Sequence, residues 1–474
     1  MLSGNSSTPV AIGRKALLAG RLDEARSCFE VALREAPGDV AALDGMGLIA
    51  LHAGENDLAS ELFDLCVRLD DGFVVARSHL GTAHYRAGRS DVALGHFLEV
   101  LGRDVQDPDH WANAGNAFRA TGQPVEALQA YESALTIAPA DARLLLNRGN
   151  ALVDLKRFDE AYHAFAEAWS IDPALEEAQF NLGLLALRCG DFRRGWALHE
   201  HRQTHAAKRK SSRPLANVPF WDGLQPLEGR RVVLFSEQGL GDVIQFLRFV
   251  PQIVSRKAQV DLWVAPALVR LVSASFPECR VYADVPPDLA ADFCCPLMSL
   301  AERLSVDLPK LPAANFPYLH AGSINVERGD EKGLRIGLMW RGSDNPRLQN
   351  RSISLALLEP LMLQDATYFC LDKHVHADDL EFVTRRNIHV PKPGGDLADT
   401  AALIATLDLV ITIDTSIAHL AGALGVPTWV LLPYVADWRW LEGRDDSPWY
   451  PSMKLFRQPI AGDWGALIDS IANG

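Results

Sequence analysis

Apolar positions follow two regimes along the chain. Over the first 200 residues a fixed set of small and aromatic positions returns every 34 residues. The glycines of this set are Gly13, Gly47, Gly81, Gly115, Gly149 and Gly183. Ala25, Ala59, Ala93, Ala127 and Ala161 keep the same interval, as do Phe29, Phe63, Phe97, Tyr131 and Phe165. Pro37, Pro139 and Pro173 share one phase. Glycine and alanine predict two antiparallel helices in close approach, and the aromatic is expected to fill the gap to the neighbouring repeat. The sixth copy departs from the pattern, with Gly195 in place of the alanine and His199 in place of the aromatic. Terminal repeats are often atypical because one face meets something else. The expected neighbour is the next domain, with Trp196 packing across the junction.

From about residue 215 short apolar runs alternate with helical patterns. Arg231 to Phe235, Val260 to Val264, Leu334 to Met339, Tyr368 to Leu371 and Leu409 to Ile413 read as strands. Strands separated by helices predict βαβ units and parallel sheets. Roughly 260 residues are too many for one such unit, and the Pro-rich, charged stretch from Leu308 to Gly333 divides them. Two facing Rossmann-like domains with a cleft between them are expected. The predicted boundaries are 1–205 for about six repeats, 206–222 for a linker, 223–320 for the first α/β domain and 330–474 for the second. The junction from His199 to Arg213 carries His199, His201, His205, Lys208, Arg209, Lys210 and Arg213 and reads as a solvated basic run. Three histidines there make no metal site without a fourth convergent ligand.

The most informative stretch runs from Asp408 to Pro433. Leu409 to Ile413 reads as a buried parallel strand. Asp414, Thr415 and Ser416 all favour a helix N-cap. Ile417 to Leu424 follows as a small-residue helix, Gly425 ends it, and Thr428 to Leu432 is the next strand. Ligands of open α/β sheets bind at such a strand–helix junction, and free N–H groups with the positive dipole end suit a phosphate. Thr415 and Ser416 add hydroxyls, and the spacing puts His419 on the same helix face. A second junction follows Arg231 to Phe235. Gly239-Leu240-Gly241-Asp242 turns into a helix but lacks the third glycine of a dinucleotide fingerprint, since Ile244 stands there. Asp242 falls at the helix N-terminus, where the dipole favours a charged carboxylate, and such a group can accept a proton from an attacking hydroxyl. Trp438-Arg439-Trp440 and Trp449-Tyr450 read either as stacking surfaces for a sugar or base or as a core between domains.

Composition narrows the field. A net charge of −14 argues against a general nucleic-acid binder. No apolar run approaches the roughly 18 residues of a membrane span, and the N-terminus has no signal-peptide layout. The seven cysteines are scattered without a Cys-x-x-Cys pair, which predicts reduced thiols in a cytoplasmic protein. The Asp-x-Asp pair, Asp107-Pro108-Asp109, lies in a repeat loop and not in the α/β half.

The 34-residue period resembles the tetratricopeptide repeat, whose groove usually binds peptide segments. Gly239-Leu240-Gly241-Asp242-Val243 resembles the first-strand motif of family 9 glycosyltransferases, the bacterial heptosyltransferase group. Asp414-Thr415-Ser416-Ile417-Ala418-His419-Leu420 is similar to that family's donor motif. The C-terminal half also resembles the transferase region found behind tetratricopeptide repeats in many bacterial proteins. It shares Glu237-Gln238-Gly239-Leu240-Gly241-Asp242, Asp399-Thr400-Ala401-Ala402-Leu403 and Ser447-Pro448-Trp449-Tyr450-Pro451 with that set.

The resemblance implies an α-solenoid followed by a GT-B glycosyltransferase, inverting and metal-independent, with a nucleotide sugar as co-substrate and no cofactor. It assigns Asp242 as general base. Asp414, Thr415, Ser416, His419, Arg351, Trp340 and Gly342 fall on the donor side, and Gly239, Gly241 and Gln245 on the acceptor side of the cleft. The implied acceptor is a serine or threonine hydroxyl of a protein held by the repeats, a flagellin-like protein being one class. The alternatives are a non-catalytic repeat scaffold with a degenerate transferase domain and a transferase acting on a lipid-linked glycan. Ser416 stands where the heptosyltransferase pattern has glycine or alanine, so the sugar is not inherited.

Overall fold

The computed structural model describes residues 8–202, 215, 218–284, 286, 289–308, 311, 316–322, 333–342, 351–391 and 395–473. The chain forms two compact units, Met1–Ala178 and Gln179–Gly474. Among the described residues the first unit holds five helix pairs. They are α1 (Pro9–Leu18) with α2 (Leu22–Glu35), α3 (Val40–Ala53) with α4 (Asn56–Leu69), α5 (Val74–Arg86) with α6 (Ser90–Leu101), α7 (Pro108–Ala120) with α8 (Pro124–Ile137), and α9 (Ala142–Asp154) with α10 (Phe158–Ile171). Aspartates start several first helices. Asp39 accepts the backbone N–H of Ala41 and Ala42, and Asp141 those of Arg143 and Leu144, satisfying donors that a helix start leaves open.

Each repeating ring lies on the repeating glycine of its own pair. A Cβ on Gly47 would come 2.5 Å from the Phe63 ring, on Gly115 2.6 Å from Tyr131, and on Gly149 2.4 Å from Phe165. The expected contact with the following repeat is present as well. A Cβ on Gly45 would come 2.3 Å from the Phe29 ring, and the Phe63 ring stands 5.3 Å from that of His79. Successive first helices approach one another more closely than successive second helices do, so the first helices line the inner side of the curve.

The second unit opens with the sixth pair, α11 (Glu176–Arg188, which starts just before the boundary) and α12 (Phe192–His199). Trp196 of α12 is buried and donates its indole N–H to the Val306 carbonyl at 3.0 Å. Its ring meets Trp438 at 5.4 Å and Phe246 at 5.9 Å, both edge-on. The sixth repeat is atypical because it is built into the core of the α/β unit, as the Trp196 reading anticipated. The basic junction begins inside that core and not in solvent. His199 and Arg202 are buried, and Arg202 is bound by Glu237 at 2.7 Å and Glu200 at 2.5 Å. His205, Lys208, Arg209, Lys210 and Arg213 lie outside the described residues.

Two parallel sheets follow. The first has the order β3-β2-β1-β4, from β1 (Arg231–Phe235), β2 (Gln259–Trp263), β3 (Arg280–Tyr282) and β4 (Phe293–Pro296). Val232 pairs with Val260 on one side and Phe293 on the other. The second has the order β6-β5-β7-β8-β9, from β5 (Leu334–Met339), β6 (Ala366–Cys370), β7 (Leu409–Ile413), β8 (Thr428–Leu432) and β9 (Met453–Arg457). The order in which the chain adds strands reverses between β1 and β4, and again between β5 and β7. Those switch points open crevices at the carboxyl ends of the strands. Among the described residues no helix is long and apolar enough to cross a membrane.

The glycine contacts give a paired test of the solenoid. Gly115→Ala should destabilise the protein by about 1–3 kcal/mol, because the methyl meets a buried ring. Gly95→Ala, where an added Cβ meets nothing within 4 Å, should stabilise it by roughly 0.5–1 kcal/mol. Chemical denaturation of both variants checks the sign difference.

Candidate functional site

The helix after β1, Leu240–Phe246, packs against the helix after β7, Ser416–Leu424. Their first turns touch through Gly241. A Cβ there would lie 2.9 Å from Cδ2 of His419 and 3.4 Å from Cα of Ser416, so only glycine permits this approach. Asp242 folds back over its own helix start, and its Oδ2 accepts the Gly239 N–H at 3.0 Å. On the facing element Thr415 is the N-cap, its hydroxyl accepting from Ile417 N–H at 3.3 Å, and Gly425 closes the helix at φ +79°. The two sequence motifs therefore converge at the carboxyl ends of two sheets.

Side chains from two further segments join them in a series of alternating charge. Oδ1 of Asp242 lies 2.5 Å from Nη2 of Arg439. Nη1 of Arg439 lies 2.8 Å from Oδ1 of Asp437. Oδ2 of Asp437 lies 3.6 Å from Nη2 of Arg351, and Nη1 of Arg351 lies 3.0 Å from Oδ2 of Asp414. Taking such charges out of water costs on the order of several kcal/mol per ion unless each is paired. Burial alone would raise the Asp437 carboxyl, but Arg439 and Arg351 outweigh it and hold it down at about 2. At Asp414 burial prevails over Arg351, and the carboxyl is raised.

His419 is buried in an aromatic cage. Its ring stacks on Trp440 at 5.3 Å and 19°, and its Nδ1 is 2.9 Å from the Tyr450 hydroxyl. Burial, reinforced by Arg439, lowers its pKa to about 3, so the imidazole is neutral at physiological pH. Beneath it Arg248 donates to the Trp449 carbonyl at 2.7 Å and sits over the rings of Tyr318, Trp449 and Tyr450.

The structure gathers most of the residues singled out from sequence. Asp242, Gly241, Asp414, Ser416, His419 and Arg351 meet at one place, with Gly239 and Thr415 forming the two helix starts. Gln245 is fully buried, and its Oε1 accepts from Nε of Arg439 at 2.8 Å. Trp340 departs from its donor-side assignment. It is buried in the core of the second sheet, and its indole donates to Asp379 at 2.9 Å. The strand end before Gly342 turns that side chain inward, while Gly342 itself continues to Ser352, whose hydroxyl accepts its N–H at 3.0 Å. Ser343 lies outside the described residues. Sequence reasoning missed Arg439 and Asp437, which link the two motifs. Their signal was a guanidinium and a carboxylate set among tryptophans. Trp438, Trp440, Trp449 and Tyr450 are all buried, which fits a core and not a stacking surface. Among the described residues no three His, Cys, Asp or Glu side chains converge to hold a metal.

Comparison with known proteins identifies the repeats. Tetratricopeptide-repeat models match residues 10–72, 79–142 and 142–175. Protein FlbA of Caulobacter vibrioides is 27% identical over 410 residues, which cover 79% of this chain and 68% of that protein. An inactive TPR repeat-containing thioredoxin of Arabidopsis thaliana, TTL3, is 36% identical over 86 residues, 18% of this chain and 12% of its own. Among solved structures, the thermophilic TPR protein TTC0263 of Thermus thermophilus is 20% identical with a TM-score of 0.34, covering 39% of this chain and 100% of that one. The N-terminal part of the chain is a tetratricopeptide-repeat solenoid, and a region of parallel sheets follows it.

Proposed function

We propose that this protein is a GT-B glycosyltransferase that moves a sugar from a nucleotide donor to a hydroxyl of a protein held by the repeats. The observation that carries the reading is the meeting of the two motif helices at the switch points of two parallel sheets. It brings a carboxylate, two guanidiniums and a nine-residue helix start to one place.

The chemistry follows from those groups. The acceptor hydroxyl oxygen attacks the anomeric carbon and the bond from that carbon to the diphosphate oxygen breaks, inverting the centre. The hydroxyl proton passes to Asp242. Negative charge grows on the departing diphosphate, where Arg351, the Thr415 and Ser416 hydroxyls and the helix dipole oppose it. Neutral His419 adds shape and hydrogen bonding without charge. The repeats support the acceptor half of the reading, since stacked helix pairs form extended concave surfaces that suit a segment of another protein.

One observation favours a second reading, the non-catalytic scaffold. Both oxygens of Asp242 are engaged, one by Arg439 and one by Gly239, so a base must first be released.

A thermal-shift screen over nucleoside diphosphates and nucleotide sugars tests the donor assignment, because a ligand of the folded state raises the melting temperature. Stabilisation by one nucleotide series, reduced in His419→Ala, is the expected result. No stabilisation by any member would sink the assignment. With the donor in hand, Asp242→Asn should lower turnover by about 10²- to 10⁴-fold while the helix start survives, since asparagine still caps. An undiminished rate would favour the scaffold.

The buried histidine predicts a pH dependence. The folded pKa of His419 is about 3, below that of an unfolded histidine, so the unfolded state binds more protons between about pH 3 and about pH 6.5. The stability this contributes is present above that range and is lost as pH falls through it. The melting temperature should drop from pH 7 to pH 5, and His419→Gln should make the drop shallower.

A further inference from the structure

The series Asp242, Arg439, Asp437, Arg351, Asp414 sets three carboxylates against two guanidiniums, and its contacts are unequal. Arg439 is fixed on every side. Asp242, Asp437 and Gln245 bind it at 2.5, 2.8 and 2.8 Å, and its guanidinium lies 4.3 Å over the Trp438 ring. Arg351 is held loosely. It stands 3.6 Å from Asp437, and its 3.0 Å approach to Asp414 is too bent for a hydrogen bond, leaving that buried oxygen without one. The side chain of Arg351 is 28% exposed, against 9% for Arg439. Of the two cations, Arg351 is the one that can turn to an arriving anion. The polar lining is also incomplete, because Nε2 of fully buried Gln245 has no acceptor among the described residues.

Building on the glycosyltransferase reading, we propose that Asp437 competes with the donor diphosphate for Arg351 and passes the outcome to Asp242. A diphosphate at the first turn of the Ser416–Leu424 helix takes Arg351. Asp437 is then left with Arg439 as its cation. It cannot swing away, because its Oδ1 also accepts the Arg439 backbone N–H at 3.1 Å. Arg439 has one guanidinium to divide between two carboxylates, and a firmer hold by Asp437 loosens its contact with Oδ1 of Asp242. That oxygen becomes open to the acceptor hydroxyl. Asp437 is thus a positioning residue, and the base is freed after the donor has bound.

Calorimetric titration of the full chain with inorganic pyrophosphate, the part common to nucleoside diphosphates, reads the competition without turnover. Asp437→Asn, which keeps the backbone cap, should tighten binding roughly three- to tenfold, the size of a partly exposed ion pair. Arg351→Gln should weaken binding about tenfold. The double variant should bind no tighter than Arg351→Gln alone. Asp242→Asn should tighten binding by about two- to threefold, and only while Asp437 is present. Melting curves establish that each variant folds, and Asp437→Ser, which also keeps a side-chain cap, gives the same test if Asp437→Asn does not fold. Unchanged affinity in the aspartate variants, or tightening that persists without Arg351, overturns the competition and leaves the donor site standing. Absence of pyrophosphate binding in the parent and in Asp437→Asn alike removes both.

Discussion

The contact of Gly241 with the Ser416–His419 turn is the constraint on which the α/β unit depends. A single methyl there would collide with a buried imidazole that cannot retreat, because Trp440 and Tyr450 hold its other sides. The bare approach lets two helix starts from separate sheets stand together. That proximity brings Asp242 within reach of Arg439, and through it of Asp437, Arg351 and Asp414. Everything chemical about the region follows from this spacing. The packing around it is rigid and aromatic, so the spacing is set by side-chain volume and not by hydrogen bonds that water could replace.

Charge in this region is arranged as a shared deficit. Three acids draw on two bases in a place where water is largely excluded, so the position of each guanidinium decides which carboxylate is satisfied. The pKa directions express this, since Asp437 lies between the two cations and is lowered, while Asp414 has only the looser one and is raised. A static ion-pair core would gain nothing from an odd acid. The odd acid is Asp414, whose buried Oδ2 is left without a hydrogen bond.

Much of this was legible in the chain, and for identifiable reasons. β7, its N-cap, the helix and β8 could be placed closely because Asp414-Thr415-Ser416 and Gly425-Val426-Pro427 punctuate them with strong local signals. The repeats announced themselves through glycines whose missing side chains are filled by rings. Asp242 and Arg351 were singled out from motif position, and the structure sets both in the series of ion pairs. Trp340 was misplaced because a residue at a strand's carboxyl end faces either the crevice or the core, and alternation alone does not say which. Arg439 and Asp437 were hidden because an aromatic-rich loop reads as packing, and the pairing of Arg439 with Asp242 spans 197 residues. The burial of Arg202 escaped notice because its partners Glu237 and Ser299 lie 35 and 97 residues away.

The sixth helix pair keeps the period of the solenoid, yet Trp196 is seated among Phe246, Trp438 and Trp449. The α/β unit therefore owns a fragment of the repeat language as its own threshold. The boundary between the two compact units accordingly falls inside the repeats, after Ala178, and not at the basic stretch that looks like a linker. A helix pair that by its period belongs to the solenoid is, by its packing, part of the α/β core.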